Sequence, residues 1–325
     1  MATADQLKAL VRSHLEGDDE SFYSVALQVA ASAARSGKSN LAQELRILVE
    51  ERATRPASVR RPIPVAQPRG DLAGLLAVSY PDVSPVDLVL EASLQHQLER
   101  ILLEQRQHDQ LREHGFAPAR RILLLGPPGT GKTMSARMLA SQLRLPLFTI
   151  RLDGLITKFL GETAAKLRLI FEAMAELRGA YLFDEVDALA GERGRGNDVG
   201  EIRRVLNSFL QFLEEDESES LLVAASNHPG LLDRALFRRF DAVLNYPLPT
   251  ATVVKALILK RVAGIPTGRL KWQLIQRASK GLSHSDITLA VEQAAKDCIL
   301  GGRLNLDTED LLSALRSRRT HLRQA

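Results

Sequence analysis

The chain has 325 residues, 45% hydrophobic and 25% charged, an ordinary globular composition sized for about two domains rather than a disordered or low-complexity one. Its net charge of +4 comes from 43 basic residues interspersed with 39 acidic ones, which permits nucleic-acid contact without arguing for it. No stretch is apolar and long enough to span a bilayer, the start Met1-Ala2-Thr3-Ala4-Asp5-Gln6 is no signal peptide, and the single cysteine excludes an intrachain disulfide, so a reducing cytoplasm and no membrane are expected.

Residues 1–52 read as three short amphipathic helices. Thr3 and Gln6 form a capping-box pattern ahead of Leu7, Leu10, Val11 and Leu15; Phe22, Val25, Ala26 and Val29 mark a second helix; Leu41, Leu45 and Leu48 mark a third behind Ser39. A bundle this small has a modest core and suits an adaptor that docks something. Residues 53–70 then carry Pro56, Pro62, Pro64 and Pro68 among Arg55, Arg60, Arg61 and Arg69, a tether of extended character.

From 71 to 249 apolar runs alternate with amphipathic helices, the α/β pattern of a mostly parallel sheet. Strands are expected at Arg121–Leu125, Leu147–Leu152, Ala180–Asp184, Leu221–Ser226 and Ala242–Tyr246, with a helix from about Glu91 before the first. The acidic cluster Glu214-Glu215-Asp216-Glu217, with Glu219, reads as a solvated loop. Residues 250–325 are helical throughout, and Cys298 sits there as a small core residue.

Two segments carry chemistry. Gly126-Pro127-Pro128-Gly129-Thr130-Gly131-Lys132-Thr133 follows the run Ile122–Leu125 and opens a helix, and these residues together with Met134 are expected to bind the nucleotide. Glycines there let successive backbone N–H groups turn inward around phosphates, Lys132 supplies a point charge, and Thr133 offers a hydroxyl to Mg²⁺. The opening helix adds its positive end, so the chain is expected to bind a nucleoside triphosphate, ATP with Mg²⁺. In Tyr181-Leu182-Phe183-Asp184-Glu185 an apolar strand ends in two acids. Asp184 suits the metal, mostly through water, and Glu185 suits the attacking water.

Gly126–Thr133 followed by Asp184-Glu185-Val186-Asp187-Ala188-Leu189 resembles an AAA-family ATPase module, from about residue 87 to the C-terminal helices. It is most similar to the single-ring group containing katanin and spastin, whose members carry a small helical N-terminal domain on a flexible linker. The resemblance implies a P-loop NTPase parallel sheet of order 5-1-4-3-2, a C-terminal helical lid and a homo-oligomeric ring, usually a hexamer. It further implies that Asn227, ending the fourth strand, is a polar sensor of the γ-phosphate or the lytic water. Arg238 and Arg239 resemble the arginine fingers that reach a neighbour's γ-phosphate, where a planar guanidinium meets developing charge. Lys158, Phe159, Leu160 and Gly161 resemble the first pore loop, whose apolar side chains grip an extended polypeptide, and Gly191–Gly196 stands in the second pore-loop position. His284 stands in Gly281-Leu282-Ser283-His284-Ser285-Asp286, where relatives usually have glycine.

Three functions follow. The first is an ATP-hydrolysing motor that remodels, unfolds or threads protein, with a separately encoded protease or other effector conceivable because neither His-Glu-x-x-His nor a nucleophile elbow occurs. The second is a nucleic-acid-stimulated ATPase, a helicase loader or DNA motor. The third is a nucleotide-switched scaffold.

Overall fold

The computed structural model describes residues 68, 70–155, 160–190, 199–232 and 234–324, all within one compact unit, residues 66–325. The N-terminal bundle, the linker apart from Pro68 and Gly70, Lys158, Phe159 and the second pore-loop segment lie outside the described residues. Leu160 and Gly161 are described only as backbone, at the start of a helix.

Six strands form one sheet: β1 (Leu76–Ser79), β2 (Arg121–Leu125), β3 (Leu147–Ile150), β4 (Ala180–Phe183), β5 (Leu221–Ser226) and β6 (Ala242–Asn245), ordered β1-β3-β4-β5-β2-β6. The five strands read from the sequence occupy the expected 5-1-4-3-2 order and are parallel. The correction is β1, which the sequence reading lacked. It pairs antiparallel with β3, Leu76 opposite Ile150 and Ser79 opposite Leu147, and closes the edge that would otherwise be exposed. Four residues, Leu76–Ser79, give too short a pattern to announce a strand, even with Gly74 before them and Pro81-Asp82 after.

Parallel strands covered on both faces need continuous apolar runs, and the pleat then sorts alternate residues to opposite sides. Leu123 and Leu125 of β2, Tyr181 and Phe183 of β4, and Leu222 and Ala224 of β5 enter one core. There they meet α3 (Leu160–Glu176) and α4 (Val199–Glu215) through Leu167, Ile170, Phe209 and Leu213. Ile122, Leu124, Leu182 and Val223 face the other way, onto α1 (Ala92–Arg106) and α2 (Lys132–Leu143). These four strand residues are fully buried, so each strand is enclosed by helices on both faces of the sheet.

After Pro249 come α5 (Ala251–Arg261), α6 (Trp272–Ser279), α7 (His284–Leu300) and α8 (Thr308–Gln324). They enclose a separate core of Ile258, Ile275, Ile287, Val291, Leu311 and Leu315, with Cys298 buried inside it. Ser283 starts α7 with a reciprocal cap: its hydroxyl accepts from Asp286 N, and the Asp286 carboxylate accepts from Ser283 N. The acidic loop is not simply solvated. Asp216 is buried and ion-paired with Arg120, Glu219 pairs with Arg112 at 2.8 Å, and Glu214 pairs with Arg239. Among the described residues no helix is long and apolar enough to cross a membrane.

Candidate active site

The tips of β2, β4 and β5 converge with the start of α2. Gly126 leaves β2 with φ +149°, and a Cβ there would fall 2.2 Å from the Tyr246 carbonyl oxygen. Gly129, at φ +73°, lies against the lid: a Cβ would come within 2.6 Å of Ser283 Oγ. Ser285 N donates to Gly129 O at 3.0 Å, tying the lid to the loop. Thr130 Oγ1 donates to Pro127 O at 2.8 Å and braces the turn, while Met134 is exposed one residue into the helix after Thr133.

Lys132 is only 5% exposed, yet its ammonium is fully used. Nζ donates to Gly126 O (2.7 Å), Pro127 O (2.9 Å) and Asn227 Oδ1 (2.8 Å), matching its three donors. Burial pulls its pKa below the ordinary lysine value; the carboxylates of Asp184, Asp187 and Glu185 work against that and favour the charged form. A phosphate oxygen recruited by Nζ must therefore displace one of these three acceptors.

Thr133 Oγ1 donates to Asp184 Oδ2 at 2.7 Å. A hydroxyl and a carboxylate brought together beside a phosphate-binding turn are the oxygen donors that Mg²⁺ takes alongside substrate phosphates and waters, so the residues present fit that ion. Asp184 Oδ1 accepts from Glu185 N (3.2 Å), and Glu185 itself has φ +57° and an exposed side chain. A left-handed non-glycine residue costs of order 1–3 kcal/mol and persists where surrounding contacts impose it.

The structure thus brings Gly126–Thr133, Asp184, Glu185 and Asn227 to one end of the sheet. Arg238 and Arg239 follow the short helix Arg234–Phe237. Arg238 is exposed, whereas Arg239 Nη1 donates to Ala235 O (2.9 Å) and its Nε lies 2.7 Å from Glu214 in an ion pair without hydrogen-bond alignment. Among the described residues, neither shows a hydrogen bond or ion pair to the phosphate loop of its own chain. Sequence reasoning gave no role to Asp187, whose Oδ1 accepts from Asn227 N at 3.1 Å, nor to Ser283 and Ser285 as the lid's contacts with the loop. The reciprocal Ser-x-x-Asp cap was a signal available for the lid contact; nothing local announces the Asp187–Asn227 bond.

A mostly parallel sheet flanked by helices, with a glycine turn, buried lysine and strand-end acids at one end, defines a P-loop nucleotide hydrolase. Residues 122–248 match the family described as ATPase family associated with various cellular activities (AAA). The chain is 33% identical over 319 residues to an uncharacterized AAA family ATPase, y4kL, of Sinorhizobium fredii, covering 97% of this chain and 95% of that one. It is 32% identical to human spastin over 76% of this chain and 40% of spastin. It is also 29% identical to a proteasome-activating nucleotidase of Methanothermobacter thermautotrophicus, over 75% of this chain and 62% of that protein. Among solved structures it is similar to the FIGL-1 AAA domain, with a TM-score of 0.58 and 26% identity over 75% of this chain and 85% of that one. The chain belongs to the AAA family, with katanin/spastin-like members among its relatives, and it is a nucleotide-binding ATPase.

Proposed function

We propose that the chain works as a homo-oligomeric ring, a hexamer, that uses ATP and Mg²⁺ to remodel, unfold or thread a polypeptide. The observation that carries this reading is how the site is divided. Lys132, Thr133, Asp184 and Asn227 are bonded together within one chain, while Arg238 stands exposed and apart from them. An exposed arginine on a turn beyond β5 suits the triphosphate held by a neighbour, where such a group contributes about 10³–10⁵ in rate.

In this reading the loop amides and Lys132 bind the phosphates, and Thr133 and Asp184 hold Mg²⁺, which when bound neutralises charge on the phosphate oxygens. Glu185 orients and deprotonates the attacking water, and Asn227 holds the water or the γ-phosphate in line. Arg238 and Arg239 complete the site from the adjacent subunit, Arg239 by exchanging its Glu214 partner. Lys158, Phe159, Leu160 and Gly161 grip the polypeptide in the channel, with Phe159 and Leu160 packing non-specifically on it. Residues 1–52 recruit the client or a separately encoded effector or protease. Relatives named proteasome-activating nucleotidase and ATP-dependent zinc metalloprotease FtsH 1 support a link to proteolysis; this chain spans 62% and 38% of those proteins.

The test is Phe159→Ala, followed by unfolding of a tagged fluorescent protein and by ATP turnover with and without client. Lost unfolding is expected. Unchanged unfolding overturns the gripping role, and stimulation of turnover by DNA or RNA alone overturns the choice of polypeptide.

A further inference from the structure

Asn227 directly follows β5 and joins that end of the sheet to Lys132, and its position depends on two neighbours. On one side β5 is held by β2, through the pair Leu125–Ser226 and the bond from Gly126 N to Ser226 O at 3.2 Å. On the other side the β4–β5 ladder stops early, at Phe183 opposite Ala224. Asn227 therefore projects three residues beyond its last β4 partner. On that side its main-chain N–H donates to Asp187, in the tight turn Val186–Ala190 that follows the acid pair.

Asp187 is 9% exposed, and a carboxylate that buried is costly unless charge and hydrogen bonds compensate it. Both are present. Its Oδ1 takes the Asn227 main-chain N–H at 3.1 Å, and it lies within electrostatic reach of the Lys132 ammonium. Asn227 Oδ1 in turn accepts from Lys132 Nζ at 2.8 Å. The order is thus Asp187 carboxylate, Asn227 backbone, Asn227 side chain, Lys132 ammonium.

We infer that Asp187 is a positioning residue for hydrolysis: it fixes the height of Asn227 over the phosphate site by holding the backbone on which the sensing amide is mounted. It touches neither phosphate nor water itself. Because Lys132 and Asn227 share a bond, the same anchor also sets where the amide stands once Lys132 turns to a phosphate oxygen. The inference rests on the proposed role of Asn227 and adds the residue that makes that role geometrically possible.

A pure packing residue would change stability, or binding and turnover together. A positioning residue for the transition state lowers kcat and leaves KM nearly unchanged, and is rescued by a side chain that keeps the acceptor. Asp187→Ala is expected to cut kcat for ATP at least about tenfold, with KM within about threefold, a loss of the size expected for an aligned hydrogen bond. Asp187→Asn keeps an Oδ1 acceptor and is expected to stay within about threefold of the parent kcat. An Ala variant with parental kcat overturns the inference, as does an Asn variant no better than Ala, which would assign the effect to charge near Lys132. Should the Ala variant not fold, the Asn variant decides alone: a loss beyond tenfold overturns it. Asn227→Ala, measured in parallel, separates the two layers: unchanged turnover there defeats the role of Asn227 and with it the route from Asp187 to hydrolysis, whereas lost turnover there beside parental turnover in Asp187→Ala defeats the anchoring alone.

Discussion

In the α/β core, β2, β4 and β5 bury side chains on both faces, whereas each lid helix buries a single stripe around Ile258, Ile275, Ile287, Leu311 and Leu315. The lid core contains no residue of the sheet. Lid and loop meet instead through the Ser285–Gly129 hydrogen bond and the close approach of Ser283 to Gly129, with Lys260 reaching the main chain at Val86 and lying 3.7 Å from Asp87 nearby. The difference teaches that the core owns the chemistry and the fold of the site, while the lid is a separately packed body that touches the site through small residues. Stability of the lid and chemistry of the core should then be separable by mutation.

The largest effect expected lies in the core. Glu185→Gln removes the proposed base and keeps the shape, so turnover should fall about 10²- to 10⁴-fold while nucleotide binding persists, measured by phosphate release and by fluorescent nucleotide titration. A variant with parental turnover would return the chain to a nucleotide-switched scaffold. Next comes the lid. Ile287 is fully buried, and Ile287→Ala should cost about 2–5 kcal/mol. Hydrogen exchange should show the loss confined to α5–α8, with β4 and β5 keeping their protection; a uniform loss would break the separation drawn here.

The smallest effect concerns pH at the junction. Burial holds the His284 imidazole below its ordinary value of about 6.5, with Glu91 opposing, and neither His284 Nδ1 nor Glu91 Oε1 has a hydrogen-bond partner. As pH falls through that value the unfolded chain takes up the proton first, so the folded state loses stability on acidification and regains it above about 6.5. Thermal unfolding at pH 7.5 and 5.5 should record this loss, and His284→Gln should reduce it.

How much of this was legible depends on distance along the chain. The runs Ile122–Leu125 and Leu221–Ala225 announce buried strands because every residue is apolar, and the phosphate loop is contiguous. The bonds that assemble the site are not contiguous: Lys132 meets Asn227 across 95 residues and Asp187 meets Asn227 across 40. Periodicity carries no trace of such contacts. The resemblance supplied Asn227, whereas Asp187 emerged only with the turn that follows β4. Asp216 was misjudged for a related reason, since an acidic run looks solvated until Arg120 is placed beside it.

The central claim is that Gly126–Thr133 is half of an active site completed by another copy. The most direct measurement is ATP turnover per chain against protein concentration, from where light scattering reports monomer to where it reports assembly. Turnover per chain should rise steeply with assembly, by orders of magnitude in line with an arginine supplied in trans. Constant turnover per chain across that range would contradict the account.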